Sequence, residues 1–379
     1  MLEKKNIFRK VKRKIEFVLR NVLGKYLPLE YAIQGQDYKL EVVHFKEAFP
    51  FRSTNTDNLP APIADFFKIA NGWIQKEYVY KYTGNCLIEP GSAWLVLPNN
   101  KKVILESHPY NYFPRPSRLG LLSAYKRQKV NKVIPLRYYF NNYWHLHNDI
   151  LGQLALADKY IEDCDIPILI PEEALEISFV RDTFNQAISL KGRKWLVQRK
   201  DTVFEVNEVY LLKNIPNTAE TFNGVLRLLD YGLPPSLKHD RIYLKRGGRR
   251  GRRLSALNSR EVEDVVKSFN YRVVDTDGLS IDEQRNLFAN AAHVVGLHGA
   301  GLTNLIFRSG ANLHLLEVFP LDFYPQHYFW LCRELGFSYS ALYGTKLSNN
   351  GEFTISTELL RQQLSDIHSA PTDDTLVIE

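Results

Sequence analysis

Two stretches of the sequence combine residue types that are suited to binding phosphate groups. In the first, Lys245 to Arg253, six of the nine residues are cationic and the other three are glycine. In the second, Val295 to Leu305, an apolar run ends at a glycine turn and a helix-compatible stretch follows. Such a turn offers backbone N–H groups and the positive end of the helix dipole to an anion. Together, the two stretches predict a diphosphate site.

The glycine turn contains several candidate ligands. Gly299 and Gly301 allow the backbone to approach a bound group closely. His298 has few neighbours in the sequence to pack against, so we favour a hydrogen bond to a phosphate or a sugar over a structural role. Thr303 and Asn304 either cap the helix or bind donor oxygens. The candidate donor-binding residues of this turn are His298, Gly299, Ala300, Gly301, Thr303 and Asn304.

The basic stretch and the next apolar run supply further candidates. A guanidinium binds two phosphate oxygens at once, which makes Arg246, Arg252 and Arg253 candidate diphosphate ligands. The alternative is a solvated basic loop or a patch that binds nucleic acid. Glu317, near the end of the following apolar run, is placed to accept hydrogen bonds from ribose hydroxyls. A structural salt bridge is the other interpretation of Glu317.

A candidate general base lies earlier in the chain. His145 and Asp149 are four residues apart in a predicted helix, so they share one face and the carboxylate is able to orient the imidazole. Such a pair would take the proton from an acceptor hydroxyl. The alternative is a polar helix start that packs under Trp144.

Metal and dinucleotide sites have weaker support. Asp275-Thr276-Asp277 and Asp163-Cys164-Asp165 both fit an Asp-x-Asp pattern that holds a divalent ion in some enzymes, but aspartates in such positions are also common in turns. The glycine spacing after Gly296 is the reverse of the dinucleotide-binding order. We therefore predict no metal ligands and no cofactor other than the substrate itself.

These motifs resemble glycosyltransferase family 61, which contains plant xylosyltransferases, O-linked N-acetylglucosaminyltransferases and bacterial capsular polysaccharide enzymes. The resemblance rests on four segments and covers roughly Lys132 to Pro320: Asn142–Asp149, Arg241–Arg253, Glu283–Phe288 and His298–Glu317. It implies a GT-B fold, inverting transfer and a nucleotide-sugar donor. It also favours Arg246 and Arg253 as donor ligands and His145 with Asp149 as the catalytic pair.

The remaining sequence predicts the elements that position these residues. Short apolar runs separated by turn residues between Tyr78 and Glu106 predict a β-meander. Strands alternate with helices from Lys132 onward, which predicts parallel sheets covered by helices. The expected architecture is α/β and GT-B-like, with two Rossmann-like domains that face a cleft and a β-meander in the N-terminal half.

Glycine and prolines between Leu229 and Asp240 mark the linker between the two domains. We therefore predict a basic amphipathic segment (residues 1–34), an acceptor-side domain (35–233), a nucleotide-sugar-binding domain (234–368) and a polar tail (369–379).

The net charge of +7 is concentrated at the start of the chain, where residues 1–27 carry nine cations and two glutamates. Apolar residues recur there at helical spacing, so this segment either lies on an anionic membrane or packs on the rest of the protein. Three scattered cysteines, with no long apolar run, fit a reducing cytoplasm. The inner face of the membrane is the alternative location.

The sequence thus predicts an inverting glycosyltransferase that transfers a sugar from a nucleotide-sugar, with a UDP-sugar preferred, to a polysaccharide or lipid-linked glycan in surface or capsular polysaccharide synthesis. Its expected partners are the donor, the glycan acceptor and an anionic membrane, and no nucleic acid. The alternatives are a nucleic-acid-binding protein that uses the basic loop and N-terminus, and a catalytically silent scaffold that binds sugar nucleotides. The sugar, the linkage and the oligomeric state do not follow from the sequence.

Overall fold

A computed structural model describes most of the chain between residues 28 and 369. The described residues are 28–51, 53, 55–69, 72–90, 92–99, 101–107, 116, 126–136, 140–187, 190, 192–231, 238–246 and 254–369. The basic N-terminal residues 1–27, the tail residues 370–379 and two of the predicted arginine ligands, Arg252 and Arg253, lie outside this part of the chain.

The strands, in chain order, are β1 (Glu41–Phe51), β2 (Trp73–Ile88), β3 (Leu95–Leu97), β4 (Lys102–Val103), β5 (Lys126–Pro135), β6 (Ile168–Pro171), β7 (Trp195–Gln198), β8 (Thr202–Lys213), β9 (Asp240–Lys245), β10 (Ser255–Ala256), β11 (Arg272–Asp275), β12 (Ala291–Leu297), β13 (His314–Phe319), β14 (Ser338–Tyr343) and β15 (Glu352–Phe353).

The helices are α1 (Ala61–Ile69), α2 (Tyr143–His145), α3 (Gly152–Tyr160), α4 (Glu172–Leu175), α5 (Ser178–Gln186), α6 (Ala219–Leu228), α7 (Ser259–Ser268), α8 (Ile281–Asn290), α9 (His327–Glu334) and α10 (Thr357–Ser369). A π-helical segment, Leu146–Leu151, joins α2 to α3. Two 3₁₀ segments, Leu105–Ser107 and Ala300–Arg308, complete the helical elements of the described residues.

The chain divides into two compact units. The first comprises the described residues up to Ala48, together with Gln75–Pro216 and Asn223–Asp230. The second comprises Phe49–Ile74, Asn217–Phe222 and the described residues from Tyr231 onward. This division differs from a single boundary at residues 233 and 234, because two short segments that precede the predicted linker belong to the second unit.

The first unit contains a mixed eight-stranded sheet in the order β4-β3-β2-β8-β5-β6-β7, with β1 beside β2. Strands β2, β3 and β4 pair antiparallel and form the predicted meander, whereas β8, β5, β6 and β7 pair parallel. Thr83-Gly84-Asn85 was expected to be a turn, but β2 continues through it with a shift in register. Gly84 has a φ of 151°, so the glycine marks a β-bulge instead of the end of a strand.

The second unit contains a parallel sheet in the order β11-β9-β12-β13-β14. In chain order this is 2-1-3-4-5, the doubly wound arrangement whose switch point lies between the first and third strands, here β9 and β12. One face is covered by apolar side chains of α7 and α10, including Val262, Val266, Leu360 and Leu364. In such sheets a ligand binds beyond the carboxyl ends of the strands at the switch point.

The starts of two helical segments, α8 and Ala300–Arg308, can be compared with the local sequence. Ser280 and Glu283, which have the three-residue spacing of a capping box, form one at the start of α8. The helix-compatible stretch after the glycine turn is a 3₁₀ helix that spans Ala300–Arg308. Runs of this length are uncommon in 3₁₀ geometry.

Candidate functional site

The two predicted phosphate-binding motifs meet at the switch point of the second unit. Arg246 follows β9 and His298 follows β12, and these two strands are hydrogen-bonded neighbours. The Arg246 Nη1 donates a hydrogen bond to the His298 carbonyl oxygen at 2.5 Å. The one arginine ligand candidate that falls within the described residues is therefore in contact with the glycine turn.

Gly299 is required by the position of that arginine. A β-carbon on Gly299 would lie 2.4 Å from the Arg246 Cζ, which is far inside van der Waals contact. Gly301 is also confined, since a β-carbon there would lie 3.1 Å from a methyl carbon of Leu244. The glycines thus allow a guanidinium and the end of β9 to pack directly on the turn, as the sequence predicted for a close approach.

His298 is held by a buried hydrogen-bonded chain. Its Nδ1 lies 2.6 Å from Glu317 Oε1, and the Tyr339 hydroxyl donates to Glu317 Oε2 at 2.8 Å. Glu317 opposes Ala341 in the pairing of β13 with β14, so Tyr339, two residues earlier than Ala341, lies on the same face of the sheet. His298 is 9% exposed and Glu317 is 0% exposed.

Burial determines the charge states of His298 and Glu317 in this hydrogen-bonded chain of side chains. Burial and, to a lesser extent, the nearby Arg246 guanidinium lower the pKa of His298 to about 3, so the imidazole is neutral at physiological pH. Burial also raises the pKa of Glu317 well above its ordinary value, although the hydrogen bond from Tyr339 opposes the rise. An interior of low polarity disfavours a net charge on either group.

The structure corrects the predicted role of Glu317. Both carboxyl oxygens contact other side chains, and the residue is fully buried, so it is not positioned to accept hydrogen bonds from ribose hydroxyls. The pattern of a lone carboxylate in an apolar strand did identify an unusual residue. Its partner Tyr339 was missed because β14 carries no local motif that marks a site.

Thr303 and Asn304 are buried and contact their own turn. The Thr303 hydroxyl donates to the Ala300 carbonyl at 2.6 Å, and the Asn304 amide donates to the Gly301 carbonyl at 3.2 Å and to Gln284 at 2.9 Å. Of the two roles that the sequence left open, these contacts favour stabilisation of the turn over donor binding.

Aromatic rings that are distant in sequence surround His298. The Phe319, Phe323 and Tyr328 ring centroids lie 5.5, 5.7 and 5.4 Å from that of His298. His298 therefore has packing neighbours that its local sequence did not indicate. Phe323 is 45% exposed, so its ring forms a partly open apolar surface beside the turn.

The predicted catalytic pair is in contact within the first unit. His145 Nδ1 lies 2.7 Å from Asp149 Oδ2, and the ring is 27% exposed while the carboxylate is 4% exposed. The Asn142 side chain caps α2 by accepting from the backbone N–H groups of Trp144 and His145. Burial raises the pKa of Asp149, whereas the hydrogen bond with His145 opposes that rise. A partly exposed imidazole held by a buried carboxyl is an arrangement suited to a general base.

Both Asp-x-Asp motifs form local turns. The Asp275 carboxylate accepts from the Asp277 backbone N–H at 2.9 Å, and Asp163 accepts from the Asp165 backbone N–H at 3.0 Å. These are the side-chain-to-backbone contacts of Asx turns. Within the described ranges, no group of three or more His, Cys, Asp or Glu side chains is arranged to hold a metal ion.

Comparison with known families identifies the protein class. Residues 143–313 match the sequence model of the family described as Glycosyltransferase 61. The chain is a glycosyltransferase, and the matched residues, slightly under half of its length, are similar to glycosyltransferase family 61. The matched range includes His145, Asp149, Arg246 and His298, whereas Glu317 lies four residues beyond its end.

A search of curated proteins finds no match. Among the solved structures, this chain is similar to the E. coli heptosyltransferase WaaC with ADP, at 10% identity and a TM-score of 0.26, over 63% of this chain and 98% of that chain.

The described residues have the α/β class that the sequence predicted, and each unit contains parallel strands. The arrangement of two domains about a cleft stays a prediction. No helix in the described part of this glycosyltransferase is long and apolar enough to cross a membrane.

Proposed function

We propose that this glycosyltransferase binds the diphosphate of a UDP-sugar at the switch point of its second unit and transfers the sugar with inversion. The observation that carries the proposal is the contact between Arg246 and the His298 turn at the carboxyl ends of β9 and β12. Guanidinium groups and oriented backbone N–H groups are the chemistry that a diphosphate requires.

The departing nucleotide gains negative charge on its bridging oxygen as the glycosidic bond breaks. Positive groups that are already fixed in place stabilise that charge most effectively. Arg246 and the N–H groups of the Ala300–Arg308 segment supply this stabilisation, and Arg252 and Arg253 belong to the same proposed set. We therefore propose that no divalent ion is needed for transfer.

The acceptor hydroxyl must lose a proton as it attacks the anomeric carbon. We assign this proton to His145, with Asp149 orienting the ring and stabilising the imidazolium that forms. A single displacement that uses one base inverts the anomeric configuration, which agrees with the outcome implied by the family resemblance.

The proposed acceptor is a surface or capsular polysaccharide or a lipid-linked glycan on the cytoplasmic face of a membrane. Support comes from the nine cations and helical spacing of residues 1–27, which fit an anionic lipid surface. Flotation of the protein with anionic vesicles, compared with a variant that lacks residues 1–27, tests this part of the proposal.

Calorimetric titration with UDP tests the donor site. Arg246→Ala should weaken UDP binding by about tenfold or more, since a hydrogen bond from a charged group is worth about 1.5–3 kcal/mol. Arg272→Ala is the matched control because it removes the same residue type from β11, at the opposite end of the same sheet. Equal affinities in the wild type and Arg246→Ala would remove this arginine from the donor site.

The remaining alternatives give different results in the same set of measurements. A nucleic-acid-binding protein would bind any duplex with a steep dependence on salt. A silent scaffold would bind UDP but release no nucleotide with any acceptor. Thermal-shift screening of nucleotide-sugars would then identify the sugar, because a ligand at about 100 times its Kd stabilises the protein by about 2.7 kcal/mol.

A further inference from the structure

The Tyr339–Glu317–His298 chain has the geometry of a device that fixes one ring nitrogen toward a ligand. Tyr339 donates to one oxygen of Glu317, and the other oxygen lies 2.6 Å from His298 Nδ1. The opposite ring nitrogen, Nε2, necessarily points away from Glu317. Among the residues that the structure describes, Nε2 makes no hydrogen bond, although the side chain is about nine-tenths buried. Nε2 is not one of the fully buried side-chain atoms that lack a partner among the described residues, so this nitrogen is accessible to a ligand.

Two proton arrangements are compatible with the distances. If Glu317 is ionised, His298 Nδ1–H donates to it and Nε2 carries a lone pair, which repels a phosphate oxygen. If Glu317 is protonated, its O–H donates to Nδ1, and the proton of the neutral imidazole resides on Nε2. The second arrangement provides a donor for a phosphate oxygen, and the first does not.

The surroundings favour the second arrangement. Within the described residues, no lysine or arginine forms an ion pair with Glu317, which is fully buried. An unpaired buried carboxylate is costly, whereas a protonated carboxyl satisfies both neighbours without a net charge. The rise in the Glu317 pKa and the fall in the His298 pKa have the same cause and lead to the same uncharged chain.

We propose that Glu317 and Tyr339 are positioning residues that hold His298 as an uncharged Nε2–H donor to an oxygen of the donor diphosphate. The inference rests on the proposed diphosphate site, because the backbone carbonyl of His298 already binds Arg246 at that site. His298 and Arg246 would then bind the same diphosphate from two neighbouring strand ends. A neutral donor also keeps the site from binding the departing nucleotide as tightly as a second cation would.

Several titratable groups face this chain and bear on its pH dependence. They are Arg246 after β9, Tyr339 on β14, and His327, Tyr328 and Cys332 on α9. Burial raises the pKa of the Tyr328, Tyr339 and Cys332 groups, so these three remain protonated at physiological pH. We therefore expect Tyr328, Tyr339 and Cys332 to keep their protons, and His298 to stay neutral, between about pH 6 and 8.

Nitrogen-15 NMR of histidine-labelled wild-type protein tests the proton position directly, because the two neutral tautomers have different ring-nitrogen shifts. The His298 signal is assigned by its absence from His298→Gln. We expect the Nε2–H tautomer, and we expect its Nε2 shift to move when UDP is added. An Nδ1–H tautomer, or an Nε2 shift that is insensitive to bound UDP, would overturn the inference.

Paired substitutions test the same contact by affinity. The amide of His298→Gln reaches the Nε2 position, whereas that of His298→Asn reaches only the Nδ1 position. We therefore expect His298→Gln to retain UDP affinity within about threefold and His298→Asn to lose about tenfold. Glu317→Gln preserves a donor to Nδ1 and an acceptor for Tyr339, whereas Glu317→Met preserves neither. Rescue of UDP affinity in Glu317→Gln relative to Glu317→Met supports the positioning role, and equal losses in the two variants contradict it.

The outcomes separate this inference from the proposed function. If the wild type binds UDP but the His298 and Glu317 variants do not differ as described, the positioning role fails and the donor site stands. If the folded wild type does not bind UDP at all, the proposed donor site fails and the inference fails with it. The NMR measurement needs no substitution at Glu317, so it remains decisive even if Glu317→Met does not fold.

Discussion

The guanidinium of Arg246 occupies the space that a side chain on Gly299 would need. A β-carbon on Gly299 would meet Arg246 Cζ and Nη2 at 2.4 Å, and the same guanidinium donates to the His298 carbonyl. Arg246 follows β9, and Gly299 follows the neighbouring strand β12. Any residue other than glycine at position 299 therefore requires Arg246 to move.

Gly299→Ala should displace Arg246 without unfolding the second unit, because the crowded atoms are the far end of a flexible side chain. We expect UDP affinity to fall by about tenfold, the value of one hydrogen bond from a charged group. Calorimetry measures this loss, and Gly278→Ala is the matched control because nothing lies within 4 Å of a β-carbon there. Equal UDP affinities in the two variants would show that the arginine position is unimportant.

His145→Ala should retain UDP affinity but lose transfer. The imidazole is the group that we assign to the acceptor proton, and loss of a general base typically lowers the rate by about 10²–10⁴-fold. UDP calorimetry and nucleotide release in the presence of acceptor measure the two properties separately. A His145→Ala variant with normal transfer would place the base elsewhere.

Asp149→Asn should also slow transfer while it leaves UDP binding intact. The amide keeps the shape of the side chain but cannot stabilise an imidazolium at His145. Because burial raises the pKa of Asp149, wild-type activity should fall as the pH is lowered through that raised pKa and the carboxylate is lost. An unchanged rate–pH profile in Asp149→Asn would argue against the pair.

Chelation should leave transfer unaffected. The Asp275 and Asp163 carboxylates accept hydrogen bonds in their own turns, and the proposed charge stabilisation comes from Arg246 and backbone N–H groups. Rates measured in EDTA and in excess Mg²⁺ or Mn²⁺ check this expectation. Loss of transfer in EDTA that Mn²⁺ restores would require a metal site that is absent from this proposal.

The second unit should lose stability in mild acid. Burial, together with neighbouring positive groups that include His368, lowers the pKa of His293 and of His314 to about 4. Because these folded-state values lie below the ordinary value of 6.5, the unfolded state binds more protons as the pH falls. The free energy of unfolding should therefore be constant above about pH 6.5 and decrease from there toward pH 4.

Denaturant titrations at several pH values measure this decrease. His293→Gln removes one of the titrating groups and should flatten the dependence of the unfolding free energy on pH. Arg241, His239 and the Tyr271 hydroxyl, which is 3.1 Å from His368 Nε2, also lie beside these histidines. A slope equal to that of the wild type would show that His293 titrates normally in the folded protein.

The sequence predicted the second unit well because its signals are local. Each strand of the parallel sheet from β9 to β13 is an apolar run between turn residues, and the Ser280–Glu283 capping box marks the start of α8. The meeting of Arg246 with His298 followed from the rule that parallel strands end at the same edge of a sheet. This convergence needed no knowledge of side-chain packing.

The parts that the sequence could not predict depend on long-range packing. Tyr339 reaches Glu317 only because β14 pairs with β13 in one particular register. Phe323 and Tyr328 contact His298 from positions 25 and 30 residues away in the chain, with no motif to indicate the contact. The ribose role of Glu317 was incorrect for the same reason, since its burial depends on neighbours from other strands.

The π-helical segment Leu146–Leu151 changes which residues of this helix share a face. A helix with one additional residue in a turn rotates everything beyond that point by about 100° relative to an uninterrupted α-helix. A helical wheel drawn through Tyr143–Tyr160 therefore assigns the residues before and after the segment to incompatible faces. Deletion of a single residue in this segment would turn His145 away from its present direction, even though the His145 and Asp149 side chains are both retained.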